Sequence, residues 1–483
     1  MGGGCGDEKG ETGRATRGLS LPENAVQHRP MNRRTFVQSS LAAGTLAALP
    51  IFIRAADKSG RKFRTALIGA GWWGGNLVGE AMASGRCEIV GVCDVDGRAL
   101  DPTVEKITKL SGDQPRKYRD YRELLAKEKP EIVIVATPDH WHALPTIAAV
   151  KAGAHVYVEK PTAHTIGESQ AMLKAARANN RVVQVGTHRR MAPHLIRARE
   201  FFRSGQVGSV GLIRCHLNAE GTGPEKPLPT VAVPPELDWD QWCGPAPLRP
   251  FNGGDPRNLD LGAGARGLHP RGHRYCLDYG NGYIADIGVH WFDQVLWFTG
   301  EKYPRRVFST GGRPVKGPAV LTPQEQTTDA PDHQVAQFAF EQFTMTWESR
   351  QFGGNQSEKG EIAGAYFYGT KGTLHLGHKV GWTFYPGGGG EPIRDASTLN
   401  QPDGQSIREL WADFLGAIET GRRPVCDIEE GHRSSVCSLL GMISYRTGRS
   451  LEWDGAKEQI VGDPAANKML RREYRKGWEY PTG

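Results

Sequence analysis

An apolar run that breaks off in a glycine turn constrains this chain more than any other stretch. Ala66-Leu67-Ile68 leads into Gly69-Ala70-Gly71-Trp72-Trp73-Gly74, and a helix-compatible segment follows. Such a run predicts a buried parallel strand. In the Gly-x-Gly-x-x-Gly spacing, Gly69 permits the tight turn, Gly71 lets the backbone approach a pyrophosphate, and Gly74 lets the helix pack close to the strand. The amides at that helix N-terminus then face the phosphates, where the helix dipole favours negative charge. Trp72 and Trp73 stand inside the turn and border the same ligand.

Alone the motif is weak, but its neighbours strengthen it. Glu88 to Asp94 is a second strand that ends in an acid twenty residues after Gly74. A carboxylate there binds an adenosine ribose 2′-hydroxyl. Ile132 to Ala136 is a third strand, closed by Thr137-Pro138. Three strand–loop–helix units in series predict a doubly wound dinucleotide fold. Asp94 repels a 2′-phosphate, which favours NAD over NADP; Arg98 on the same loop leaves NADP open.

At 483 residues the chain exceeds one comfortable core, so two domains are expected. The net charge of +7 is small for this length and its basic residues are interspersed with acids, so no nucleic-acid patch is predicted. The eight cysteines show no C-x-x-C pair and no zinc-type spacing, which argues against a disulfide framework and predicts no metal site. Residues 1–60 are a leader, with Met31 the more convincing start. Asn32-Arg33-Arg34-Thr35-Phe36-Val37-Gln38 is a twin-arginine pattern, followed by an apolar stretch from Ser39 to Ile53 and by Ala55-Ala56 as a cleavage zone. That stretch is too short and interrupted for a stable membrane span. The expected location is therefore the periplasm, reached by a route that carries folded proteins.

Residues 61–188 form the expected nucleotide-binding domain. Its loops carry Thr137-Pro138-Asp139-His140-Trp141-His142 and then Glu159-Lys160-Pro161, both at carboxyl ends of strands. Together with Gly69 to Gly74 and with Asp286-Ile287-Gly288-Val289-His290, these motifs resemble those of the glucose–fructose oxidoreductase / inositol dehydrogenase / rhizopine-catabolism (Gfo/Idh/MocA) family. The resemblance runs from about residue 62 to 450, with Gly280-Asn281-Gly282 where the family often has three glycines. It implies an open, mostly antiparallel sheet in the second domain, with a subunit interface on the exposed sheet face and hence a homo-oligomer.

Residues 189–455 form that expected α+β domain for substrate and oligomerisation, and 456–483 a polar tail. Alternating segments such as Gln334 to Phe340 and Phe343 to Glu348 predict antiparallel strands, and Thr370-Lys371-Gly372 a hairpin turn. Residues 218–278 are irregular. Leu237 to Trp242 within them, with Gly244-Pro245, either caps a substrate pocket, where the faces of Trp239 and Trp242 would stack on a sugar, or is an ordinary packed loop or a subunit arm.

Oxidising a secondary alcohol needs a hydride acceptor and a group that takes the hydroxyl proton. His290 is the candidate base, because imidazole titrates near neutrality. Asp286 lies four residues earlier and shares its helical face. Lys160 sits where ligands of open α/β sheets collect, and its ammonium would polarise the reacting oxygen. The resemblance gives the matching lysine, aspartate and histidine these catalytic roles. Cofactor contacts are expected from Gly69, Gly71, Trp72, Trp73, Gly74, Asp94, Thr137, Pro138, His142, Glu159 and Lys160; Arg190 and Tyr283 are candidates for substrate contact. Arg189 and Arg190 either line the cleft or are surface charges. The expected activity is NAD(P)-dependent oxidation of a sugar, sugar acid or cyclitol with a tightly held cofactor. The competing readings are a redox-neutral glycosidase, lyase or epimerase that oxidises its substrate transiently, and a non-catalytic sugar or nucleotide sensor.

Overall fold

A computed structural model describes residues 60–219, 223–253, 267–270, 272–353 and 358–483. The leader, the twin-arginine pattern and part of the irregular region lie outside the described residues. Six parallel strands form the first sheet: β1 (Phe63–Ile68), β2 (Cys87–Cys93), β3 (Arg116–Tyr118), β4 (Ile132–Val135), β5 (His155–Val158) and β6 (Val183–Val185). Their spatial order is β3-β2-β1-β4-β5-β6, so the direction in which strands are added to the sheet reverses between β1 and β4. Ligands of open α/β sheets bind at that switch point, beyond the carboxyl ends of the strands.

The connecting helices are α1 (Trp72–Ala83), α2 (Gly97–Ser111), α3 (Tyr121–Glu128), α4 (Ala143–Lys151) and α5 (Ile166–Ala178). Local chemistry sets their ends. Asp96 and Asp120 accept backbone N–H groups at the starts of α2 and α3, and Thr165 with Glu168 closes a capping box at α5. β4 is fully buried, as its uninterrupted Ile-Val-Ile-Val requires of a central strand covered on both faces.

After α6 (Pro193–Arg203) comes a ten-stranded sheet: β7 (Val210–Asn218), β8 (Arg306–Gly312), β9 (His333–Ala339), β10 (Thr344–Arg350), β11 (Ala363–Gly369), β12 (Gly372–Gly377), β13 (Gly381–Pro386), β14 (Ile393–Ala396), β15 (Leu451–Asp454) and β16 (Gln459–Val461). The order is β14-β13-β12-β11-β7-β10-β9-β8-β15-β16, and every pairing is antiparallel except β7 with β10. β11 and β12 form the hairpin around Thr370-Lys371. Along β9, Gln334, Ala336 and Phe338 are buried while Val335 and Gln337 are exposed, the alternation of a sheet with one covered face. The covering helices are α7 (Val289–Thr299), whose Trp291, Phe292 and Val295 enter the core, and α9 (Ile428–Thr447).

Before α9, α8 (Pro402–Thr420) folds back on the first sheet, where Leu410, Trp411 and Phe414 join Leu67, Ile134 and Tyr157. Asp427 bridges Gln184, and the Val185 N–H donates to the Cys426 carbonyl at 2.8 Å, so the edge of β6 is covered. Residues 456–483, expected as a polar tail, are tied down: Arg472 pairs with buried Glu168, and the Trp478 ring meets Trp141 edge-on at 5.0 Å. The seven described cysteines are buried and unbridged. Among the described residues no helix is long and apolar enough to cross a membrane.

Candidate functional site

A cleft of about 610 Å³ opens beyond the carboxyl ends of β1, β2, β4, β5 and β6 and runs under α7. At one end lies the glycine turn. Gly69 has φ +94°, and a Cβ there would stand 2.6 Å from the Ala136 carbonyl. A Cβ on Gly74 would stand 1.9 Å from the Gly69 oxygen. Gly71 is different: nothing lies within 4 Å of its missing Cβ, which leaves open space over the N-terminus of α1. A clear cradle at a helix start fits a pyrophosphate. Trp72 and Trp73 line the same end, whereas Gly74 does not; it lets α1 sit against the turn.

Asp94 follows β2, with Oδ2 accepting the Ala70 N–H at 2.7 Å and Oδ1 the Asp96 N–H at 2.9 Å. Burial pushes its carboxyl up to about 6, against the pull of those two N–H groups. Arg98 forks onto Asp96 through Nε and Nη2 at 2.9 and 2.7 Å, and so is engaged away from a 2′-phosphate. These features fit an unphosphorylated adenosine ribose. The chain after residue 223 covers this end: the Gly97 N–H donates to the Glu236 carbonyl and the Asp238 N–H to the Val95 carbonyl. Trp239 and Trp242, one of whose possible roles was a sugar platform, stack on each other at 4.5 Å in a small buried core.

The middle of the cleft is built by two loops. Thr137 and Pro138 line it. His142 ties the loops together, one ring nitrogen against the Pro161 carbonyl at 2.6 Å and the other against the Thr137 carbonyl at 2.8 Å. His140 contacts the Trp242 carbonyl instead and Asp139 faces His273, so these neighbouring polar side chains converge on no common point. Glu159 is buried, with Oε2 accepting the Lys160 N–H at 3.2 Å and Oε1 without a hydrogen-bond partner among the described residues.

At the far end Lys160 Nζ donates to Asp286 Oδ1 and to the Asp286 carbonyl, both at 2.8 Å. Arg274 Nε reaches the same Oδ1 at 3.2 Å. Burial works upward on the Asp286 carboxyl, but Lys160 and Arg274 outweigh it and hold the group below its usual range. Asp286 stands on a π-helical turn, Ile284–Gly288, that runs into α7, which carries His290. Such turns recur at functional sites because the extra residue re-aims side chains. The His290 ring is buried, and Nδ1 has no hydrogen-bond partner among the described residues. Burial first, then the charges of Arg189, Lys160 and His188, hold its proton affinity well below normal. The ring is thus held in the neutral form, which can accept a proton but does so less readily than the free imidazole that the sequence suggested.

The structure thus gathers Lys160, Asp286, His290 and Tyr283 on one cleft. It does not place Arg190 there. That guanidinium is buried against Asp293 through Nε and Nη2 at 2.8 Å each, because α7 and α9 converge on it. Instead Arg189 lines the cleft, lying over the Trp291 ring at 4.6 Å. Burial draws its guanidinium down to about 10. Polar residues not singled out from sequence include His188, Arg274 and Asp403, which line the cleft, and His378, which contacts Asp403. Asp403 Oδ1 accepts from His188 Nε2 at 2.9 Å and faces His378 Nε2 at 2.8 Å, across 215 and 25 residues of chain. These three offer ligand atoms within 4.8 Å of one another. The Arg189 charge bears on Asp403 and on His378, which opposes a cation there.

Comparison with known proteins agrees with this geometry. Residues 63–187 match the family described as oxidoreductase, NAD-binding Rossmann fold, and residues 221–480 match its C-terminal alpha/beta domain. An inositol 2-dehydrogenase of Salmonella typhimurium is 31% identical over 144 residues, 29% of this chain and 41% of that protein. A glycosyl hydrolase family 109 protein of Shewanella pealeana is 28% identical over 165 residues, 33% of this chain and 35% of that protein. The chain thus spans about a third to two fifths of the length of these curated relatives. A levoglucosan dehydrogenase solved with NADH superposes with a TM-score of 0.62 at 17% identity, over 81% of this chain and 99% of that one. An oxidoreductase domain protein from Kribbella flavida gives 0.61 at 20% identity, over 81% and 99%. The nucleotide-binding domain is of the NAD-binding kind, and the chain belongs to the Gfo/Idh/MocA oxidoreductase family.

Proposed function

We propose that the protein oxidises a secondary alcohol of a sugar, sugar acid or cyclitol, with NAD lying between Gly71 and Lys160. The observation that carries this reading is the meeting of Lys160, Asp286 and a neutral His290 at one end of a cleft whose other end is the glycine cradle. Bound NAD supplies the hydride acceptor. His290 takes the hydroxyl proton as the carbonyl forms, and the Lys160 ammonium stabilises charge on that oxygen. Asp286 fixes the ammonium through two contacts at 2.8 Å. The inositol dehydrogenase and levoglucosan dehydrogenase likenesses support a polyol substrate.

The twin-arginine pattern at Arg33-Arg34 supports export to the periplasm. No free nicotinamide pool serves an exported enzyme, so the cofactor is loaded first, retained, and recycled by a second substrate or within one catalytic cycle. Leu212, Phe308, Val335 and Tyr368 stand exposed on the outer face of the large sheet and support a homo-oligomer closed over that face. A second reading has one observation in its favour, the glycosyl hydrolase relatives: oxidation would be transient and glycoside cleavage redox-neutral. Mass analysis of the small molecule released on denaturation, followed by a sugar panel read at the nicotinamide absorbance, tests the main reading. Released NAD and net reduction by a sugar support it; glycoside turnover without net reduction assigns the redox-neutral reading; no nucleotide bound, before or after addition, refutes both.

A further inference from the structure

We propose that Arg189 anchors a carboxylate on the substrate, so that the alcohol presented to His290 belongs to a sugar acid. The reaction in this statement rests on the function proposed above; the binding does not. Guanidinium groups are almost never buried without a partner. Arg189 is 8% exposed, yet among the described residues its side chain makes no hydrogen bond and no ion pair, and Nε and Nη1 are buried and unsatisfied. Its neighbour Arg190 shows what the fold does with a guanidinium meant only for packing: a two-point fork onto Asp293.

Among the described residues, no carboxylate that acts on Arg189 is free to do this. The acids that act on it through space are Asp403, Glu361 and Asp286. Asp403 is held between His188 and His378, Glu361 accepts the Lys379 and Val380 N–H groups, and Asp286 holds Lys160 and Arg274. The Trp291 ring covers one face of the guanidinium, and Trp291 adjoins His290 on α7. The His188 ring, next in sequence to Arg189, lies 5.2 Å from the His290 ring. The guanidinium thus lines the same cleft as the proposed base, close enough for its charge to bear on the His290 ring.

A guanidinium presents parallel N–H donors that match a carboxylate, and pairing would turn a buried lone charge into a neutral pair. The three surrounding acids disfavour a dianion. The single positive charge of the Arg189 guanidinium, set among those acids, suits a monoanionic carboxylate better than a phosphate ester, the other source of an oxyanion on a sugar.

Calorimetric titration of the protein with NAD added tests this, with D-glucuronate, D-galacturonate and D-gluconate against D-glucose, D-glucuronamide and D-glucose 6-phosphate as probes. At least one acid is expected to bind about 10- to 100-fold more tightly than the neutral compounds, as one charge-assisted hydrogen-bonded pair implies. The advantage should vanish in Arg189→Gln and return in part in Arg189→Lys. Because the guanidinium is unpaired, Arg189→Gln should not lower the melting temperature of the ligand-free protein; a purely structural arginine would. Equal binding of acids and neutral compounds, an acid preference that survives Arg189→Gln, or no acid binding at all overturns the proposal, and tighter binding of the phosphate ester assigns the site to phosphate instead. Acid binding without nicotinamide reduction would sink the oxidation while the anchor stands. Reduction by neutral sugars with no acid preference would do the reverse.

Discussion

Replacing Gly71 by alanine separates cofactor binding from folding. The residue sits at φ −60° and ψ 179°, a conformation alanine adopts freely, and nothing lies within 4 Å of the new Cβ. Stability should therefore hold, or rise by about 0.4–1 kcal/mol as the unfolded chain loses freedom. The methyl group instead occupies the space through which a pyrophosphate approaches the amides of α1. Losing one charge-assisted hydrogen bond there costs about 1.5–3 kcal/mol, which is about 10- to 150-fold in NAD affinity. Gly74→Ala supplies the contrast, since its Cβ would stand 1.9 Å from a backbone oxygen and must displace α1. Thermal unfolding without ligand and calorimetric titration with NAD measure the two effects. Unchanged NAD affinity in Gly71→Ala, with folding intact, would refute the placement of the phosphates.

Three other outcomes follow from the same geometry. Lys160→Met leaves Asp286 with Arg274 alone and removes the polarising ammonium; kcat should fall about 100- to 10,000-fold with NAD affinity little changed, and a loss confined to KM would contradict the role. The Asp94 carboxyl titrates near 6, above its usual 3.8, so it is an anion above that pH and neutral below. Repulsion of a 2′-phosphate is then present above pH 6 and lost below, and the ratio of NAD to NADP affinity should shrink as pH falls through this range; a flat ratio would remove Asp94 from the discrimination. Arg190→Met breaks an ion pair whose side chains are 3% and 1% exposed and strands Asp293 as a buried charge, which should cost about 3–5 kcal/mol in denaturant unfolding; a loss below about 1 kcal/mol would show that the pair is not structural.

Much of the site was legible because its parts are local. A strand, a glycine turn and a helix are contiguous, so Gly69 to Gly74 announced the cradle, and the acid after β2 announced Asp94. The pair Asp286 and His290 was legible by spacing, although the turn that carries Asp286 is π-helical. What could not be read is what converges from afar. Arg189 and Arg190 are identical neighbours in sequence, and only the arrival of Asp293 on α7 and Glu430 on α9 decides which is packed and which lines the cleft. Asp403 reaches His188 across 215 residues, a contact with no periodic signature. Arg274 and the Trp239–Trp242 stack lie in a region of little regular structure, where burial is set by a small separate core rather than by alternation. The short strand β3 carries no alternation to read, because two of its three residues are exposed.

Following the reacting hydrogen itself tests the central claim most directly. A sugar acid that reduces the bound NAD, deuterated at the carbon bearing its reacting hydroxyl, should pass the label to C4 of the nicotinamide in a single turnover, as read by mass and NMR. Transfer should be lost in His290→Ala while NAD remains bound. An oxidised product with the label in solvent, or full transfer without His290, would contradict the account.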